Sequence, residues 1–171
     1  MALRNVVKQG DPILTKKCRP VDEVNEKIRT LLDDMIETMR ANNGVGIAAP
    51  QVGMLRRVCV CEPEEGRVIE LINPEILESE GEQEGYEGCL SVPGLVGCVK
   101  RPQHLRVRTL DREGGETICE FSDFDAVVAS HEMDHLDGIL YTSKAVDLHD
   151  PARDEAEAAA VGEKAGEKEQ R

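Results

Sequence analysis

His131-Glu132-Met133-Asp134-His135 sets two imidazoles four residues apart, with a carboxylate directly after the first. On an α-helix, residues four apart lie one above the other. Both rings then point the same way and can hold one divalent metal ion. Glu132 is turned about 100° from His131. That is close enough to take a proton from a water at the metal without ligating the metal itself. The chemistry this supports is hydrolysis at a carbonyl carbon. A solvated helix that happens to carry two His is the plain alternative. The chain has only 4 His in 171 residues, so an i, i+4 pair with Glu inside it is a poor candidate for accident.

A catalytic metal usually has three protein ligands and one open position. Little chain follows His135, and His149 and the later acids sit in or near the C-terminal segment. Upstream, Glu87-Gly88-Cys89-Leu90-Ser91 offers Cys89 beside a glycine, where backbone can approach a ligand closely. A thiolate with two imidazoles favours Fe(II), Co(II), Ni(II) or Zn(II) over Mg or Ca. Taken alone, Cys89 is one of 6 cysteines, and a buried packing cysteine is the commoner use. A third stretch, Gly44-Val45-Gly46-Ile47-Ala48-Ala49-Pro50-Gln51, places small residues around one long amide. A tight turn would explain the glycines. Gln51 carries more information, because a neutral amide can donate to a developing oxyanion.

In this order and spacing, GVGIAAPQ, EGCLS and HEMDH resemble the peptide deformylase family, from about Asp11-Pro12 to about Tyr141. The resemblance implies removal of the formyl group from the N-terminal formyl-methionine of nascent polypeptides. It implies a metal held by Cys89, His131 and His135, usually Fe(II), with Ni, Co or Zn able to substitute. It makes Glu132 the general base and then the acid, and gives the oxyanion to Gln51 and the Leu90 N–H. It also implies an α+β fold wrapped around the metal-bearing helix. The methionine side chain needs an apolar pocket. Val127 and Val128, four and three residues before His131, would line one wall, and Gly44, Val45, Gly46 and Ile47 another. Packing in the core is the competing use of these apolar residues. Arg101 and Glu87 could pair to brace the ligand loop, which sequence alone does not show. Two other functions stay open from the residues alone. One is a zinc peptidase of the H-E-x-x-H type, with a carboxylate or His as third ligand. The other is an idle binding module on the same fold.

The elements that must position these groups can also be read. Val24, Ile28, Leu31, Leu32, Met35, Ile36 and Met39 give a helical period over 21–41, with Asp22 and Glu23 in its first turn and Asn43-Gly44 at its end. Strands are expected at 57–62, 67–72, 104–110 and 116–121, the last two joined through Asp111–Gly115. Residues 73–103 hold five Gly and three Pro and read as turns and a loop-rich crossing. Ser122 with Asp125 predicts a capping box opening the metal helix, and Gly138 its end. The whole is α+β: mixed, mostly antiparallel short strands around a central metal-binding helix, with the N-terminal helix packed on the sheet.

Composition narrows the partners. Net charge is -13, from 21 basic and 34 acidic residues. Such a surface repels nucleic-acid backbones and anionic membranes. With no Trp, 2 Tyr and 2 Phe, platforms for stacking bases are nearly absent. No apolar run approaches the roughly 20 residues of a membrane span, and the first residues lack a signal-peptide block. The expected setting is cytoplasmic, with Cys18, Cys59, Cys61, Cys98 and Cys119 reduced and serving as packing residues. One catalytic domain is expected over 1–149. Residues 150–171 carry seven acids, four bases and almost nothing to bury, and are expected to form a solvated or partly helical tail. On that reading a chain ending at Leu148 keeps its fold and activity. Proximity to the ribosome gains no support from such a tail.

Overall fold

The computed structural model describes residues 2–169, with side chains through Glu163. Three helices, α1 (Glu26–Ala41), α2 (Phe124–Leu136) and α3 (Pro151–Glu169), accompany eight strands. The strands are β1 (Gly46–Ala48), β2 (Val58–Cys61), β3 (Ile69–Glu80), β4 (Gln83–Cys89), β5 (Val92–Arg101), β6 (His104–Leu110), β7 (Glu116–Ser122) and β8 (Val146–His149). They form a five-stranded sheet ordered β1-β2-β3-β6-β7 and a three-stranded sheet ordered β4-β5-β8. Every strand pair is antiparallel; a single bridge, Arg19 with Arg56, is parallel. The class is α+β.

The five-stranded sheet is covered on both faces. Val58, Val60 and Ile72 join Ile28, Leu31, Leu32, Met35 and Met39 of α1 in one apolar cluster. Cys59, Cys61, Leu71, Val107 and Phe121 join Val128, Ala129, Met133 and Leu136 of α2 in another. This explains why β2 reads Val-Cys-Val-Cys without polar alternation: both of its faces are buried. It also places Cys18, Cys59 and Cys61 in the core, with Cys119 packed against it. Replacing Leu32, fully buried against β2, with Ala is a large-to-small change of the kind that costs about 2–5 kcal/mol.

α2 is buried nearly all round, including Ser130, His131, Glu132 and His135. It packs on β1, β2, β5 and β7, so it lies between the two sheets. A helix this enclosed has no polar stripe, and polar side chains on it must find partners or line a cavity. No helix among the described residues is long and apolar enough to cross a membrane.

Four expectations change. α1 begins at Glu26, where the Asn25 side chain accepts from the Ile28 N–H at 3.2 Å; Asp22 and Glu23 precede the helix. α2 has no capping box: Ser122 ends β7 and its Oγ contacts His104 Nδ1 at 2.8 Å, and the helix follows Asp123 at φ 55° without a side-chain cap. Residues 73–103 are mostly strand, the remainder of β3 together with β4 and β5. Glycine misled there. Gly81 and Gly94 do adopt positive φ, but Gly97 sits within β5 because a Cβ would come within 2.6 Å of the Ala145 Cβ. Finally, Leu148 lies inside β8, whose His149 pairs with Val96, so a cut at Leu148 would break a strand.

Candidate metal centre

α2 carries His131 and His135, one turn apart, with ring centroids separated by 5.1 Å. Cys89 arrives from the other sheet at the last position of β4. Its Sγ is 3.5 Å from His135 Nε2. One donor atom from each of Cys89, His131 and His135 lies within 4.8 Å of the others. Glu87, two residues before Cys89 on the same strand face, accepts from His131 Nδ1 at 2.8 Å. That bond fixes the tautomer and leaves Nε2 of His131 free to face the cluster. A thiolate and two imidazoles, one oriented by a carboxylate, are a donor set suited to a divalent transition metal. The residues present therefore fit a metal ion.

Glu87 is itself held. Arg101 donates to both of its oxygens, at 2.9 and 2.8 Å, and to Asp134 Oδ2 at 2.7 Å. Lys144 also reaches Asp134, at 2.9 Å. Burial would raise the Glu87 carboxyl, but Arg101 and His131 hold it down at about 2. His131 feels burial too, which disfavours its charge; contacts with Cys89 and Glu87 prevail and raise it to about 10, so a metal ion would bind in competition with the Nε2 proton. Burial, with the positive charges of His131 and Arg101, pushes His135 well below its ordinary value. Tyr141 stacks on the His131 ring at 5.7 Å and donates its hydroxyl to the Leu95 carbonyl at 3.0 Å.

Glu132 points into the same space with its Oε2 buried and, among the described residues, without a partner. Burial lifts its carboxyl to about 7, against the pull of His131 and Arg101. Gly46 is what allows this placement: a Cβ there would stand 2.5 Å from Glu132 Oε1. Gln51 sits in a 3-10 turn, Ala49–Val52, just beyond β1. Its Oε1 accepts from the Ala48 N–H at 2.9 Å, which fixes which end of the amide is which. Its Nε2 donates to Ser91 Oγ at 3.1 Å and approaches Cys89 Sγ at 3.5 Å.

A cavity of about 460 Å³ opens onto these groups. Of the residues expected from sequence, Gly44, Val45, Gly46, Gln51, Cys89, Leu90, Val127, Val128, His131 and Glu132 all line it. His135 is buried behind the wall. Ile47 is not in the cavity; it belongs to the core beneath α1, because its side chain takes the opposite face of β1 from Gly46. Sequence reasoning missed Ser91, Leu95, Phe124 and Tyr86. Ser91 lies in the EGCLS stretch, where its hydroxyl was a visible signal. The other three carry no spacing that marks them, since the fold alone brings them to the rim.

Comparison with known proteins points to one family. The polypeptide deformylase family model matches residues 3–150. A peptide deformylase of Thermoanaerobacter pseudethanolicus is 54% identical over 146 residues, covering 85% of this chain and 91% of that protein. One from Acetivibrio thermocellus is 55% identical, covering 85% of each. The crystal structure of peptide deformylase from Thermotoga maritima superposes with a TM-score of 0.82 at 34% identity, over 85% of this chain and 99% of that one. An actinonin-bound class I type b peptide deformylase from Acinetobacter baumannii gives 0.80 at 36%, over 85% and 100%. The chain belongs to the polypeptide deformylase family, the metal-dependent hydrolases that remove the formyl group from the N-terminal formyl-methionine of nascent polypeptides.

Proposed function

We propose that Cys89, His131 and His135 hold the metal, that Glu132 moves the proton, and that Gln51 with the Leu90 N–H receives the oxyanion. A divalent ion at this donor set supplies Lewis-acid chemistry, polarising the formyl carbonyl and acidifying a water near neutral pH. Glu132 takes a proton from the attacking water and returns it to the leaving amine, so formate and a free N-terminus result. The Glu132 carboxyl is unpartnered and buried, which suits a group that must gain and lose a proton in each cycle. Gln51 offers the Nε2 hydrogen that now faces Cys89 Sγ, while its other hydrogen stays on Ser91. Such donors cost little reorganisation when charge develops. Val127 and Val128 take one side of the methionine side chain. Gly44, Val45 and Gly46 line the opposite side, where the absence of bulk lets a peptide backbone pass.

The observation that carries this reading is the convergence of three metal donors with one unpaired, buried carboxylate. Turnover of formyl-Met peptides tests it, with release of formate as the readout. Cys89→Ala separates it from a zinc peptidase of the H-E-x-x-H type, because a peptidase would retain metal and activity. Fe(II) is the ion we assign, with Ni, Co or Zn as working substitutes for the same donors. Metal analysis of protein purified without oxygen checks that assignment. The substrates are formylated N-termini of nascent chains, met in the cytoplasm; the acidic tail gives no support to a ribosome contact. Residues 1–149 are the catalytic unit. The acidic 150–171 segment is not a nucleic-acid-binding element, since like charge repels it from RNA.

A further inference from the structure

Residues 2–9 belong to no helix or strand, yet they cross three parts of the molecule. On α1, the Ala2 N–H donates to Asp34 Oδ1 at 2.7 Å. Arg4 donates its N–H to Thr38 Oγ1 and its Nε to Asp34 Oδ2, both at 2.9 Å. The Val7 N–H then donates to the Gln51 carbonyl at 2.7 Å, and the Gln9 N–H to the Ser91 carbonyl at 2.8 Å. Between them, Lys8 Nζ donates to the Leu90 carbonyl at 3.1 Å. Resting on the reading of Gln51 and Leu90 just given, we propose that residues 4–9 are a strap that positions both oxyanion-binding groups. Val7, Lys8 and Gln9 are its positioning residues.

The need for such a strap follows from the topology. Gln51 leaves the five-stranded sheet, and Leu90 and Ser91 form the two-residue turn between β4 and β5 of the other sheet. A hairpin tip is ordinarily among the least restrained parts of a fold. Its carbonyls usually go to water. Here the carbonyls of Leu90, Ser91 and Gln51 are all taken by one short segment, which is tied at its other end to buried Asp34. From the cavity side, Gln51 Nε2 on Ser91 Oγ links the same two turns. The strap therefore closes a bracket around the two donors, from behind and from within. Val6 and Val7 are half-buried and Lys8 and Gln9 exposed, so hydrogen bonds rather than burial hold this stretch. Displacement of a positioned group by about 1 Å can cost up to 10²-fold in rate.

Val7→Pro and Gln9→Pro test the strap, because proline lacks the donor N–H but accepts an extended backbone. Each is expected to lower kcat about tenfold, with KM within about twofold, bound metal unchanged and the melting temperature within about 3 °C. Val7→Ile, which keeps the N–H, is expected to behave as wild type. Lys8→Met leaves the backbone intact and is expected to lower kcat severalfold, with Lys8→Arg restoring it. Unchanged kcat in Val7→Pro and Lys8→Met would overturn the proposal. In a Gln51→Ala background, Val7→Pro is expected to cost less than about threefold more, since the group it positions is gone. A full multiplicative loss there would show a general structural effect and overturn it as well. Independently of turnover, the side-chain amide resonances of Gln51 are expected to shift or broaden in Val7→Pro, and identical resonances would count against the strap. If Gln51→Ala alone leaves kcat intact, it is the reading of the oxyanion site that fails. If Gln51→Ala lowers kcat and the strap variants do not, only the strap fails.

Discussion

At the scale of single residues, the site separates the groups that would hold metal from the one that would move a proton. Glu132→Gln keeps the shape of the side chain but cannot accept a proton near neutral pH. It is expected to retain metal and lose about 10²–10⁴-fold in kcat; activity within about tenfold of wild type, measured on a formyl-Met peptide, would remove Glu132 from the role of base. Glu87 acts at one remove. It fixes His131 through Nδ1, and Arg101 fixes Glu87 in turn. Glu87→Gln is expected to weaken metal binding about 10–100-fold in a competitive chelator titration. An unchanged affinity would mean that packing, including Tyr141 against the ring, suffices to orient His131.

Between elements, one close approach decides how the end of α2 is seated. After α2, Gly138 adopts φ 73°, and a Cβ there would stand 2.6 Å from the Thr15 backbone. Gly138→Ala combines left-handed strain with a clash against chain that cannot swing aside. It is expected to cost roughly 2–4 kcal/mol, seen as a melting temperature lower by about 4–16 °C. The tie between the end of α1 and the end of β2 has a pH signature. Arg40 donates to both oxygens of buried Glu62, at 2.9 and 2.7 Å, and the Gly66 N–H adds a third bond. The bonds from Arg40 hold the Glu62 carboxyl below its ordinary 4.5 despite burial. Below 4.5 the unfolded chain takes up this proton before the folded one does. The stabilisation is complete above that pH and fades as acid is added and the folded carboxyl titrates. Melting curves from pH 6 to 3 are expected to fall less steeply for Glu62→Gln than for wild type; parallel curves would refute the assignment.

For the whole molecule, the C-terminal segment divides at Asp150. β8 completes the three-stranded sheet, and Asp150 Oδ1 accepts from the Ala152 N–H at 3.0 Å at the start of α3. Beyond that, every described side chain from Ala152 to Glu163 is exposed. A chain ending at Asp150 is expected to melt within about 2 °C of the full chain and to deformylate short peptides at the same rate. A chain ending at Leu148 loses the pairing of His149 with Val96 and is expected to be measurably less stable. Equal stability of the two truncations would show that β8 adds nothing.

The sequence by itself determined the family and singled out the residues proposed for the chemistry. His131, Glu132 and His135 are neighbours along one helix, so their spacing already sets their relative placement, and GVGIAAPQ and EGCLS stand in a fixed order before them. Helix α1 and the β6–β7 hairpin were also legible, because their apolar periods are local properties of the chain. What the tertiary structure decided is everything that depends on long-range pairing. Glu87 reaches His131 only because the β4–β5 sheet packs across α2; the Arg101–Glu87 pair was among the expectations, but it is the fold that joins them, since Arg101 lies opposite Gln83, four residues from Glu87 along β4. The strands of residues 73–103 were hidden because glycine serves tight packing as well as turns, and a single sequence does not tell the two apart. Ile47 and Gly46 are adjacent in sequence and face opposite ways on β1, one into the core and one into the cavity. The placement of an extended N-terminal segment beside Gln51 and Ser91 left no pattern at all, since backbone N–H groups are the same in every residue but proline.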